Sequence, residues 1–180
     1  ILVSTPREDI GASMLIAEDL SPQLNVPVEV VPMEELEKVL LNSNNGTIVT
    51  SRYFLQPLEK LAKKHGIRAI AVDLSDFQKE LKTLKELPSG SCVGIVSISP
   101  GLLRAAEVII HSLRGSDLML MTAISDNNSR LLSLLKASNH VVCEGPSLSI
   151  VENTLLKNRS QLMRLPKIMC AKNYLSIETI

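Results

Sequence analysis

The chain has 180 residues, 45% of them hydrophobic, and a mean hydropathy of +0.19, which is enough apolar material for one core or two small ones. Its 19 Lys and Arg balance its 19 Asp and Glu, so no net field draws nucleic acid or anionic lipid to this segment. No apolar run nears the roughly 20 residues that cross a bilayer, and the opening ILVSTPRED lacks the basic start and long apolar stretch of a signal peptide.

Short β-branched runs alternate along the chain with stretches of helical period, the pattern of βαβ units and a mostly parallel sheet. Strands are expected at 1–4, 27–31, 47–50, 67–73, 92–98, 117–124, 140–143 and 167–171. Helices are expected between them, at about 8–24, 33–42, 52–65, 76–86, 101–114, 127–138 and 147–164. Near-continuous apolar strands such as IRAIAV and CVGIVSI suit sheets covered on both faces. In the 52–65 helix, Leu55, Leu58, Leu61 and Ala62 make one apolar stripe, while Lys60, Lys63 and Lys64 fill the remainder.

The segment ELPSGSC, 86–92, reads as a join: Leu87-Pro88 ends a helix and Ser89-Gly90-Ser91 supplies a turn. The expected fold is therefore α/β with two Rossmann-like lobes, mostly parallel, arranged like a periplasmic binding protein. Lobe 1 would span 1–87 and lobe 2 would span 92–150. The long helix and last strand of 151–180 are candidates for a return to lobe 1. A single doubly wound sheet in a flavodoxin-like order is the rival arrangement. The chain opens on Ile1 rather than Met, which reads as a piece of a longer cytoplasmic protein.

In open α/β sheets the ligand crevice lies outside the carboxyl ends of the strands, where helix N-termini bring unpaired N–H groups and positive dipole ends together. Hydroxyls recur at those positions here. Ser4, Thr5, Thr50, Ser51 and Arg52, with Arg7 nearby, would line one side of an interlobe cleft, facing Ser97, Ser99, Ser125 and Asn127. Such a lining suits a small polar or anionic metabolite. Helix capping explains many of the same residues. Thr5-Pro6-Arg7-Glu8 and Ser75-Asp76-Phe77-Gln78 have the form of capping boxes, and Ser99-Pro100 places an N-cap before a helix-starting proline.

Aromatic residues are 2% of the chain and Trp is absent, so the stacking platforms of sugar and nucleobase sites are missing. No GxGxxG or GxxxxGK[ST] appears, and no cofactor is expected. Gly94 and Gly101 fit close packing and a helix start. Cys92, Cys143 and Cys170 are an odd number without metal-ligand spacing, each inside an expected strand, and read as buried reduced thiols, with a redox role as the rival. His65, His111 and His140 are scattered and form no HExxH. Asp73 ends a strand where receiver domains keep a phospho-accepting aspartate, but their acidic pair after the first strand is absent. Glu34, Glu35 and Glu37 open a helix and read as solvated dipole partners. No nucleophile, base and orienter come together by spacing, so the chain is expected not to be an enzyme. A small α/β transferase or lyase is the weakest alternative.

The stretches ILVSTPREDIGASMLIAEDL, GTIVTSRYF and VDLSDFQKEL resemble the C-terminal domain of cyanobacterial GntR-family transcription regulators of the PlmA type, and the resemblance runs over the whole chain. It implies a winged helix-turn-helix ahead of this segment, homodimerisation, and a place in nitrogen and carbon regulation with the PII signalling protein and its adaptor PipX as partners. It supplies no ligand and no binding residues. The scattered histidines and many strands match neither the all-helical, metal-binding GntR effector domains nor the other α/β type. The expected role is a domain for effector sensing and dimerisation, with a pure protein interaction module as the alternative, favoured if apolar residues of LLRAAEVIIHSL and DLMLM are exposed together.

Overall fold

A computed structural model describes residues 1–42, 46–73, 77–172 and 175. The strands are β1 (Leu2–Val3), β2 (Glu29–Val30), β3 (Thr47–Ser51), β4 (Arg68–Val72), β5 (Cys92–Ser97), β6 (Met119–Ile124), β7 (His140–Glu144) and β8 (Lys167–Ala171). The helices are α1 (Ile10–Leu20), α2 (Met33–Leu41), α3 (Leu55–Lys64), α4 (Gln78–Glu86), α5 (Pro100–Arg114), α6 (Asn128–Ala137) and α7 (Gly145–Lys157).

The strands form two four-stranded sheets with every pairing parallel, ordered β2-β1-β3-β4 and β6-β5-β7-β8. The two-lobed α/β expectation is met, and the single-sheet rival is not. Both sheets have the same order: second strand, first, third, fourth. That is how the first four strands of a flavodoxin-like sheet run, so each lobe separately takes the order considered above for one wide sheet. Where the order reverses, between β1 and β3 and between β5 and β7, the helices that follow leave for opposite faces, the place at which open α/β sheets bind their ligands.

The chain divides into a first unit, Ile1–Asp76 with Asn173–Ile180, and a second, Phe77–Lys172. In the first, Val3, Ile16, Val49 and Val72 pack on the α1 side, while Leu36, Leu40, Ile48, Leu58 and Ala62 pack beneath α2 and α3. In the second, Val93, Ile95, Leu103 and Ile110 lie under α5, and Val96, Leu131, Leu134, Val151 and Leu155 lie under α6 and α7. Strands with apolar side chains on both faces need helices on both sides, and the sequence supplies them.

Some boundaries differ from expectation for identifiable reasons. Helix α4, assigned above to the first lobe, belongs to the second unit: Leu84 joins the core with Val93 and Leu103, and Arg114 Nη1 donates to the carbonyls of Leu84, Lys85 and Leu87 at 2.7–3.1 Å. Strand β8 pairs with β7 in the second sheet, while Leu175 beyond it is buried in the first unit and donates its N–H to Asp19 Oδ2 at 2.9 Å. The helix expected over 147–164 stops at Lys157, and a separate 3-10 turn follows at Arg159–Gln161. Helix α1 starts late because Pro6 is extended and a 3-10 turn, Arg7–Asp9, intervenes.

At Gly94 the C-terminal part of α6 packs directly on β5. A Cβ built there would sit 2.3 Å from Leu134 Cδ2 and 2.7 Å from Ser138 Oγ, so only glycine permits this approach. Strand β6 is an edge of its sheet. Met119 N–H donates to Ser91 O and Ser125 N–H to Ser97 O, so the alternating backbone of Leu120, Thr122 and Ile124 faces away from β5. Arg130 Nε donates to that outward Thr122 carbonyl at 2.6 Å, and Thr122 Oγ1 donates to Glu107 Oε1 at 2.8 Å.

Candidate functional site

Parallel register brings the hydroxyls of the first unit together. Leu2 and Val3 lie beside Ile48 and Val49, and Ser4 N–H donates to Val49 O at 2.9 Å. Ser4 and Thr5 thus leave the end of β1 beside Thr50 and Ser51 at the end of β3, at the reversal point of the sheet. All four are buried. Thr5 is satisfied locally: its Oγ1 donates to Asp9 O at 2.8 Å and lies 2.8 Å from Ser13 Oγ. That arrangement stands in place of the expected Thr5–Glu8 capping box, since neither the 3-10 turn nor α1 receives a side-chain cap. Ser4 Oγ, Thr50 Oγ1 and Ser51 Oγ are different. Each is enclosed and has no hydrogen-bond partner among the described residues.

Arg52 follows directly on β3 and Asp73 on β4, and the pairing of Ser51 with Val72 sets them side by side. Arg52 Nε donates to Asp73 Oδ1 at 2.8 Å and Nη2 to Oδ2 at 2.5 Å. This two-point grip is the geometry with which a guanidinium holds any carboxylate. The hydrogen bonds from Arg52 and its charge hold the Asp73 carboxyl below the usual carboxylate range, and the same contact raises the guanidinium. Arg7 points elsewhere, to Glu35, while its backbone N–H donates to both oxygens of Glu34. Glu37 pairs with Lys64, so the acids of α2 are surface partners of cations.

The second unit places Ser97, Ser99, Ser125 and Asn127 at the corresponding strand ends, where they are used differently. Ser99 caps α5 as expected, its Oγ accepting from Leu102 N–H at 3.0 Å ahead of Pro100. Ser97 Oγ accepts from Ser99 N–H at 3.0 Å, and buried Ser125 follows β6. Asn127 caps α6, Oδ1 accepting from Arg130 N–H at 3.2 Å. The cap expected at Ser75-Asp76 falls outside the described residues.

One residue here was missed by sequence reasoning. Glu144 ends β7 and is only 3% exposed. Its Oε1 accepts from Ile98 N–H at 2.7 Å and from Ser147 Oγ at 2.5 Å, and Ser97 also bonds to it. Burial pushes its carboxyl above the usual range, against the pull of these donors. The reversal point of the second sheet is thus filled by the chain's own acid, where the first sheet has unsatisfied hydroxyls. The signal in HVVCEGPS was a strand ending in an acid directly before Gly-Pro.

Among the described residues no group of three or more His, Cys, Asp or Glu could hold a metal ion. Cys92 and Cys143 are buried and Cys170 is half-buried, all as free thiols. Cys143 and Cys170 are neighbours across β7 and β8. Two shallow depressions lie away from the strand ends: one of about 440 Å³ at the edge of β6, beside Glu107, Thr122 and Arg130, and a groove of about 530 Å³ between α6 and α7.

These features define a two-lobed α/β domain with doubly wound lobes. The family model for the C-terminal domain of cyanobacterial PlmA-type GntR regulators matches residues 79–172, just over half of the chain and within the second unit. The chain belongs to that family. The stretches that carried the resemblance lie mostly in the first unit, outside the matched range. No curated protein and no solved structure matches the chain. Among the described residues no helix is long and apolar enough to cross a membrane.

Proposed function

We propose that this domain senses an effector and dimerises, coupling a small polar or anionic ligand, or a protein partner, to DNA binding by a winged helix-turn-helix that precedes it. Membership of a regulator family supports the transcriptional part. Placement in the cytoplasm, homodimerisation, nitrogen regulation and contact with PII and PipX are carried by family resemblance. The candidate ligand contacts are the strand-end residues of each lobe taken by itself, Ser4, Thr5, Thr50, Ser51 and Arg52 in the first and Ser97, Ser99, Ser125 and Asn127 in the second, and a ligand that prefers one state of the domain would shift the population.

The observation that carries the sensing reading is the trio of enclosed, unpartnered hydroxyls, Ser4, Thr50 and Ser51, at a strand-order reversal beside Arg52. An enclosed hydroxyl without a bond costs about 1–3 kcal/mol, and native proteins retain few such groups without a use. Arg52 already holds a carboxylate, that of Asp73, so the ligand group that fits is a carboxylate or phosphate competing for the same guanidinium. Calorimetry with dicarboxylates and phosphate esters tests this. Binding heat is expected from the native chain, less from Arg52→Ala and more from Asp73→Asn. No heat from any of these anions would end the sensing reading and leave assembly alone.

Assembly has its own support. On α5, Val108, Ile109 and Leu113 are exposed, as is Met119 at the start of β6, so the two segments rich in apolar residues do present part of that content to solvent. If this face joins copies or partners, Val108→Ser with Ile109→Ser lowers the solution mass while leaving the thermal transition in place.

A further inference from the structure

At the C-terminal ends of α6 and α7 the second unit carries cations without acids. Between Glu152 and Glu178 the sequence contains Lys157, Arg159, Arg164, Lys167 and Lys172 and no Asp or Glu, in a chain whose charges cancel only when taken as a whole. Local contacts gather several of them into one crest. Lys136 Nζ donates to Gln161 Oε1 at 2.9 Å, Arg164 Nη2 to Ala137 O at 3.3 Å, and Lys167 N–H to Asn139 O at 2.9 Å. None of Lys136, Lys157, Arg159, Arg164 or Lys167 meets a carboxylate in the ion pairs found among the described residues. Basic residues at helix C-termini answer the helix dipole, which accounts for Lys136, for Lys157 and, through its bond to Ala137 O, for Arg164, but not for Lys167.

Exposed apolar side chains stand among these charges: Met163 is fully exposed, and Leu156 and Leu165 are more than half exposed. The groove between α6 and α7 has Leu132 and Ile150 among its lining, and Lys157 and Asn158 line it at the crest end. Asn128, Ser129, Asn153 and Thr154 complete the lining, so the feature is a groove of mixed lining between two helices, with Leu132 and Ile150 as its apolar floor and a cationic end.

We propose that the α6/α7 groove and its cationic crest dock a helical segment of a partner protein, apolar on one face and rich in Asp and Glu at the end over Lys157, Arg159 and Arg164. Helix-in-groove recognition seats the apolar anchors of one helix between two walls; here the walls are α6 and α7, of ten and thirteen residues, and Leu132 and Ile150 are the apolar contacts between them. Charge complementarity sets the direction and speeds encounter. A nucleic-acid backbone would use the cations but has no use for Met163, Leu165 and the Leu132–Ile150 floor. A lipid surface would need a continuous amphipathic helix, whereas here the apolar residues are divided between α7 and the segment after it. The docking surface is independent of Arg52 and the strand-end hydroxyls, so failure of effector binding leaves it standing.

The test uses the 180-residue chain and a fluorescent peptide of about 14 residues, roughly 20 Å of helix, with Leu at i, i+3, i+4 and i+7 and Glu in its C-terminal half. Controls are the same peptide with Lys for Glu, a short DNA duplex, and phosphatidylserine vesicles. Saturable binding of the acidic peptide alone is expected, weakening as salt rises. Lys157→Glu with Arg164→Glu, both exposed positions, should weaken it about tenfold or more, and Leu132→Ala about threefold, with unchanged thermal transitions. No binding of the acidic peptide, equal binding of the Lys peptide, or indifference to the charge reversal overturns the proposal. Tighter binding of duplex or vesicles reassigns the crest to phosphate and also overturns it.

Discussion

Arg52 and Asp73 each stand one residue beyond the C-terminal end of a strand, on neighbouring strands, and are joined by two N–H to carboxylate bonds of 2.8 and 2.5 Å. Because the hydrogen bonds lower the Asp73 carboxyl, the contact adds stability above the ordinary aspartate value of about 3.9, and that stability is lost as pH falls through the lower folded value. Both groups are substantially solvated, so the effect on folding is small. The larger effect is expected on anion binding. Asp73→Asn should tighten it near neutral pH and leave the urea midpoint almost unchanged, and a large stability loss with no change in binding heat would show the pair to be structural only.

Glu144 has the opposite linkage. Burial raises its folded value, so its contribution is most favourable below the ordinary glutamate value of about 4.3 and is lost as pH rises toward the folded value. Glu144→Gln should flatten the pH dependence of urea unfolding across that window. Glu144→Ala removes the acceptor for Ile98 N–H and Ser147 Oγ and should cost about 1–3 kcal/mol at neutral pH. Equal pH profiles for the native chain and Glu144→Gln would contradict a raised carboxyl.

Gly94→Ala tests the close approach of α6. With Leu134 Cδ2 only 2.3 Å from the added carbon and Leu134 fully buried, overpacking should cost about 1–3 kcal/mol. Leu134→Ala in the same chain frees space for the methyl, so the double variant should lose less than the sum of the two single losses. Strict additivity in urea unfolding would show that the helix shifts instead.

Cys143 tests thiol chemistry. Burial, then the nearby Cys170 and Glu144, push its thiol far up, and burial raises Cys170 as well. Neither is thiolate near neutral pH, so alkylation of the folded chain by iodoacetamide should be slow at both positions and become fast in denaturant. Rapid native labelling at Cys143, read by peptide mass, would mean that β7 opens to solvent.

The eight strands were legible because each is a short β-branched or apolar run set off from a helical period, as GTIVTS is from the Leu58 and Ala62 stripe of α3. Capping was legible where proline fixed the helix start, as at Ser99-Pro100, and misleading at Thr5, where Pro6 opens a 3-10 turn and the hydroxyl finds Asp9 O instead. Pairings such as Arg52 with Asp73 depend on which strands are neighbours, and a single chain carries no local mark of strand order. Glu144 was hidden for a related reason: a strand-terminal acid has the same letters whether it faces solvent or is enclosed beneath Ile98 and Ser147.

The bond from Arg130 to the outward carbonyl of Thr122, with Glu107 holding the Thr122 hydroxyl, blocks one margin of the second sheet. Another extended chain laid against β6 would first have to dislodge a guanidinium, so open-ended growth by strand addition is disfavoured there. The second unit can in this way expose apolar side chains such as Val108 and Met119 without inviting fibrous self-association along that margin.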